Sequence, residues 1–222
     1  IQIPDDKTVG SNGLMHEGIT STYLGLPGKP AIAEELAIAR DIELVKYTGS
    51  RIHFTGISTA KSVALIAKAK EEGLPVTCSV TPYHLYFSDE DVKTYDTNLK
   101  VTPPLRPVSD RDALRKAVAD GIVDCIATHH LPQNIDDKLV EFEYANWGMT
   151  GLQTAFSVIQ LVLPHLPAER LVALLGASAR NIFNLPVATI RENEKAELTL
   201  FSQQAPWTFT EAQNRSRSRN SP

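Results

Sequence analysis

Three short stretches of this chain carry imidazole and hydroxyl groups where an apolar run gives way to polar sequence. They are Ile52-His53-Phe54-Thr55-Gly56-Ile57-Ser58-Thr59, Thr77-Cys78-Ser79-Val80-Thr81-Pro82-Tyr83-His84-Leu85 and Asp124-Cys125-Ile126-Ala127-Thr128-His129-His130-Leu131-Pro132-Gln133. In α/β folds, functional groups gather at the carboxyl ends of parallel strands. An imidazole there can ligate zinc, take a proton, or simply satisfy a buried hydrogen bond. His129 and His130 are neighbours on a strand, so their rings point to opposite faces and do not converge on one ion. His53, alone in an apolar strand, reads as a hydrogen-bonded core residue, and His84 as a loop cap or packing group. His16, in Met15-His16-Glu17-Gly18, reads as structural. Asp5 and Asp6 read as a surface loop pair beside Lys7. The run Arg215-Ser216-Arg217-Ser218-Arg219 has no aromatic partners and is a weak signal for nucleic acid.

The elements that must position these groups follow from periodicity and punctuation. Residues 1–30, rich in Gly, Pro, Asp and Thr, read as loop. Residues 31–47 repeat Ala33, Leu36, Ala37, Ile42 and Val45 at helical spacing, with Glu34 and Glu35 near the N-terminal end, where the helix dipole favours acids. A strand is expected over 51–55, a helix over 59–71 stopped by Gly73, and a strand over 75–81. The two prolines within 100–106 hold that segment extended. A helix over 110–120, with Ser109 as N-cap, leads through Gly121 to a strand over 122–128. Helices over 151–163 and 168–175 and a late strand over 197–201 complete the reading. Alternating helices and strands with short connections imply parallel βα units. There are too few for a closed eight-stranded barrel, which takes about 250 residues. Part of a barrel and a doubly wound sheet fit the pattern equally.

Composition narrows the function classes. The 222 residues are 42% hydrophobic and 22% charged, with a formal net charge of −4. That balance suits one sizeable core and favours neither nucleic acid nor an anionic membrane. No apolar run approaches the ~20 residues of a membrane span, and no signal peptide is visible. Cys78 and Cys125 lie in apolar runs and are expected to be buried free thiols of a cytoplasmic protein. Opening on Ile1 and closing just beyond the Arg/Ser run, the sequence is expected to be a piece of a longer polypeptide.

Several segments together resemble one family. Ile126-Ala127-Thr128-His129-His130-Leu131-Pro132-Gln133 is similar to the dihydroorotase signature Ile-Ala-Thr-Asp-His-Ala-Pro-His, and Lys100-Val101-Thr102-Pro103-Pro104-Leu105-Arg106 to Lys-Val-Asn-Pro-Pro-Leu-Arg. The strand ends around His53 and His84 resemble His-Ile-x-His-Ile-Ser-Thr and Glu-Val-Thr-Pro-His-His-Leu. Gly151-Leu152-Gln153-Thr154 resembles Gly-Leu-Glu-Thr, and Ala196-Glu197-Leu198 the Ala-Asp-Leu strand of a small flanking β domain. The resemblance implies the C-terminal portion of a (β/α)8 barrel of the metal-dependent hydrolase type. Residues 1–185 would be barrel, and 186–222 part of the small β domain and the C-terminal segment.

In that family a zinc centre activates the water that attacks a cyclic amide, and an aspartate handles the proton. The ligands come from His-x-His on the first strand, a Lys or Asp on the fourth, a His after each of strands five and six, and an Asp after strand eight. The resemblance places the last three at Ile3, Gly56 and His129, none of which keeps the family residue. The substrate-contact positions fall at Thr102, Arg106 and Gln133, of which only Arg106 is unchanged. Arg106 could still hold a carboxylate, or be spent on a solvated or internal ion pair. No catalytic residue and no metal site are therefore expected intact. The resemblance implies a homo-oligomeric, non-catalytic relative in pyrimidine biosynthesis, a structural partner of aspartate transcarbamoylase. The alternatives are an active, divergent zinc-dependent cyclic amidohydrolase, dihydroorotase or hydantoinase-like, using His129, and a sensor binding a small molecule around Arg106 and Thr102.

Overall fold

The structure is a computed structural model, and it describes residues 1–222 apart from Ala188, Glu194, Glu197, Gln204 and Pro206. In chain order it contains β1 (Met15–His16), α1 (Ile19–Leu24), β2 (Gly28–Lys29), α2 (Ile32–Thr48), β3 (Ile52–Thr55), α3 (Ala60–Glu71), β4 (Val76–Val80) and α4 (Pro82–Tyr86). These are followed by α5 (Val108–Ala119), β5 (Cys125–Ile126), α6 (Ala155–Val162), α7 (Ala168–Val172), a π-helical turn (Ala173–Ala177) and α8 (Ser178–Ile182). Strands β3, β4 and β5 form a parallel sheet in that order, and Gln2 bridges to Phe54 on the free side of β3. The pairing sets His53 opposite Thr77, Thr55 opposite Ser79, and Ser79 opposite Cys125.

That register sorts the side chains by face. Phe54, Val76, Cys78, Val80 and Ile126 join Ile38, Ile42, Val45, Ile66, Leu114 and Val118 in one apolar core. His53, Thr55, Thr77 and Ser79 alternate with them and take the other face. The sheet is apolar toward its helices and polar toward the inside. Phe54, with no exposed surface, is a keystone of the helix side; truncating such a side chain to alanine costs about 3–5 kcal/mol.

The caps explain most of the element ends. Thr59 starts α3 by accepting from Ser62 N, and Gly49, at φ 67°, closes α2 in the left-handed conformation. Other expectations need correcting. Residues 1–30 are not all loop, since β1 and β2 pair in parallel around the single-turn α1. Helix α5 begins at Val108 after Pro107, not after a Ser109 cap; proline's fixed φ already suits a helix entry. The strand expected over 122–128 is paired only at Cys125–Ile126, because Ile122 N and Val123 N both turn back to Ala117 O at the end of α5. Helix α6 starts at Ala155, not 151, and α7 passes into a π turn at Ala173. Of the late strand over 197–201, Glu197 lies outside the described residues, and 198–201 are not in a strand. No strand occurs among the described residues of 186–222.

Candidate functional site

Strand β3 delivers His53 and Thr55 to the inner face, and β4 delivers Thr77 and Ser79. Their side chains join in one chain of hydrogen bonds. His53 Nδ1 meets Thr77 Oγ1 at 2.8 Å, and His53 Nε2 meets Ser79 Oγ at 3.1 Å. Ser79 Oγ donates to Thr55 Oγ1 at 3.0 Å, and Thr55 Oγ1 lies 2.8 Å from His129 Nε2. Burial drives the His53 pKa down to about 4, the behaviour of a neutral core histidine. His84 is equally internal, with Nδ1 on Thr81 Oγ1 at 2.8 Å and Nε2 on Pro103 O at 3.1 Å. Burial pushes its pKa to about 3. Both act as core or capping groups, as their sequence context suggested.

Gly56 and His129 meet in space. Gly56 has φ +73°, and a Cβ built on it would stand 2.5 Å from His129 Cε1. The ring of His129 therefore occupies the room a side chain at 56 would need. His129 itself sits at φ 43°, a turn that carries its ring over β3. His130 goes the opposite way, its Nδ1 accepting from Gly151 N at 3.2 Å and Leu152 N at 3.3 Å. The two imidazoles diverge.

A metal centre can be tested against the residues present. Ile3 offers an exposed alkyl group, Gly56 offers nothing, and His129 has Nε2 committed to Thr55. Among the described residues there is no group of three or more His, Cys, Asp or Glu that could hold an ion. Protein zinc sites use three or four such donors, so this set does not fit a metal.

The substrate-like positions part company as well. Arg106 is buried, its Nε donating to Ser58 Oγ at 3.0 Å and its Nη1 to His16 Nδ1 and Lys29 O, both at 3.1 Å. Its Nη2 lies 3.8 Å from Glu34 Oε2 in a fully enclosed ion pair. Glu34 in turn accepts from Ser58 N at 2.8 Å, Thr59 N at 3.2 Å and the Ser58 hydroxyl. Burial and the Arg106 charge together lower the His16 pKa. The internal ion pair, one of the uses open to Arg106, is present. Thr102 is exposed, and it joins Arg106, Lys29 and Asp5 around a cavity of only about 10 Å³. Gln133 lines a different, larger groove; its backbone N donates to Ser218 Oγ and Asn220 Oδ1, and its Nε2 to Trp147 O.

Two acidic residues depart from the expected surface pair. Asp5 pairs with Lys29 at 2.7 Å rather than Lys7, and Asp6 accepts from the Thr8 amide and hydroxyl. Sequence reasoning missed Glu34 as the anchor of the mouth. The signal was available: Glu34 shares the helical stripe of Ala37, Ile38 and Asp41, all buried, so its carboxylate had to meet partners inside.

Comparison with known structures gives the architectural class. The chain superposes on an L-hydantoinase (dihydropyrimidinase) from Arthrobacter aurescens with TM-score 0.68 and 25% identity, covering 81% of this chain and 40% of that one. A D-hydantoinase (dihydropyrimidinase) from Thermus sp. gives TM-score 0.66 at 20% identity, covering 71% and 36%. A dihydroorotase from Saccharomyces cerevisiae, in complex with 5-fluoroorotic acid, gives 0.62 at 18%, covering 69% and 44%. The sheet and its helices are thus an arc of an amidohydrolase-type TIM barrel, not a doubly wound sheet.

Sequence comparison then narrows the class. The chain is 42% identical over 222 residues to a dihydroorotase of Anaeromyxobacter dehalogenans, covering 98% of this chain and 51% of that protein. It is 41% identical to a dihydroorotase of Pelotomaculum thermopropionicum, covering 98% and 52%. No protein-family model matches. The chain is thus similar to dihydroorotases along nearly its whole length, and it spans about half the length of the curated relatives it matches.

Proposed function

We propose that this chain is part of a dihydroorotase-like protein of pyrimidine biosynthesis that no longer hydrolyses the cyclic amide. Its role is that of a non-catalytic, homo-oligomeric, cytoplasmic partner of aspartate transcarbamoylase. One observation carries the loss of chemistry: the His129 ring packs over the bare Cα of Gly56, 2.5 Å from where a Cβ would stand. The strand-six position has no donor, and its space is taken by the side chain that replaces the family's aspartate. Without a metal to lower its pKa, water at neutral pH is a poor nucleophile toward an amide. The partnership is supported by the family resemblance alone.

The test uses the intact polypeptide: metal content by mass spectrometry, hydrolysis of dihydroorotate, and co-elution with aspartate transcarbamoylase on size exclusion. The expected outcome is sub-stoichiometric zinc, no turnover and a shared peak. Stoichiometric zinc with turnover refutes the loss of chemistry, and separate elution refutes the partnership.

A further inference from the structure

His130 points away from the barrel mouth, into a cavity of about 340 Å³ between the 150–154 turn and the returning C-terminal segment. That volume is within the range of small-molecule clefts. The chain fixes its walls: Gln153 Nε2 donates to Gln213 O at 2.6 Å, and Arg215 N donates to Gln153 Oε1 at 2.9 Å. The protonation of His130 also follows from the bonding. Its Nδ1 accepts from two backbone amides, so a neutral ring carries its hydrogen on Nε2 and offers a donor. Arg215 stands exposed at the rim, and among the described residues it has no ion-pair partner. Ser216 and Ser221 add hydroxyls, while Leu152 and Phe209 supply apolar wall. No carboxylate is among the described lining residues, in a chain whose net charge is −4. Donors and one cation gathered beside an apolar wall suit a ligand with an anionic head and an apolar body.

We propose that this cavity binds a small organic carboxylate, with the carboxylate on Arg215 and His130 Nε2–H and the apolar body against Leu152 and Phe209. The site is separate from the mouth, since none of Gly56, Thr102 and Arg106 lines it. Because His129 and His130 are consecutive, occupancy would also steady the turn that carries the His129 ring over Gly56.

Benzoate is the probe, titrated into the intact protein by calorimetry and followed in parallel by the imidazole resonances of ¹⁵N-histidine-labelled protein. One-to-one binding in the roughly millimolar range is expected for so small a ligand, with the His130 resonances moving first. Arg215→Ala should weaken binding at least about tenfold through loss of a charge-assisted contact. His130→Asn, whose side-chain oxygen still accepts from Gly151 N and Leu152 N, should weaken it severalfold while leaving the melting temperature within a few degrees. Inorganic phosphate should bind more weakly than benzoate. Three results overturn the assignment: no binding of benzoate, undiminished binding by both variants, or phosphate binding as well as benzoate.

Discussion

Replacing Gly56 by alanine adds a single methyl group against the His129 ring, and the structure sets the size of the effect. The backbone there has φ +73°, where an L side chain costs about 1–2 kcal/mol. The new Cβ would lie 2.5 Å from His129 Cε1, an overlap of the kind that costs about 1–3 kcal/mol when a packed core must shift. Moving the ring also breaks the 2.8 Å bond to Thr55, worth about 0.5–1.5 kcal/mol. Together these amount to roughly 3–6 kcal/mol, a large share of the 5–15 kcal/mol typical of a folded domain. In a His129→Ala background the last two contributions vanish and only the backbone part, about 1–2 kcal/mol, remains. A double-mutant cycle by urea denaturation should therefore return a coupling of about 2–4 kcal/mol between positions 56 and 129. Equal losses in the two backgrounds would show that the ring does not fill the space above Gly56, and would remove the physical basis for reading the site as inert.

Three further outcomes follow from the same geometry. Glu34→Ala leaves Arg106 buried without its carboxylate and should cost about 3–5 kcal/mol, against a smaller loss for Glu34→Gln; denaturation midpoints measure both, and a negligible loss for the alanine variant would contradict the enclosed pair. His53 and His84 are held neutral, with pKa values near 4 and 3 against an ordinary 6.5. Below pH 6.5 the unfolded chain takes up protons that the fold refuses, so stability should fall as pH drops from about 6.5 toward 4; urea midpoints across that range check the slope, which His84→Asn should make shallower. Asn220→Ala removes the Nδ2 bonds to Leu131 O and Gly148 O that tie the 131–148 loop to the C-terminal segment, and limited proteolysis should cut that loop faster, while unchanged cleavage would show that the tie is dispensable.

The sequence was most legible where local chemistry decides the outcome. The boundaries of α2, β3, α3 and β4 were readable within about a residue, because Gly49, Thr59 and Gly73 act on their own neighbourhoods. The internal roles of His53 and His84 were readable for a similar reason, since an imidazole inside an apolar strand or a Thr-Pro turn has local partners. What escaped depended on distant segments. Pairing of β5 was curtailed by amides that return to α5, and the fate of Arg106 was set by Glu34, 72 positions earlier. The contact of Gly56 with His129 joins two different strand ends, so each change in isolation looked like the loss of a ligand. Only the fold shows that the two fit each other.

The row of side chains from Thr77 to His129 has a direction. Each hydroxyl has one hydrogen to give, and Ser79 spends its own on Thr55. With that hydrogen spent, a neutral His53 ring donates to Ser79 from Nε2, and Thr77 Oγ1 lies between His53 Nδ1 and Ile52 O. The inner face is thereby tied side chain to side chain from β4 through β3 to the turn at His129, alongside the backbone ladder.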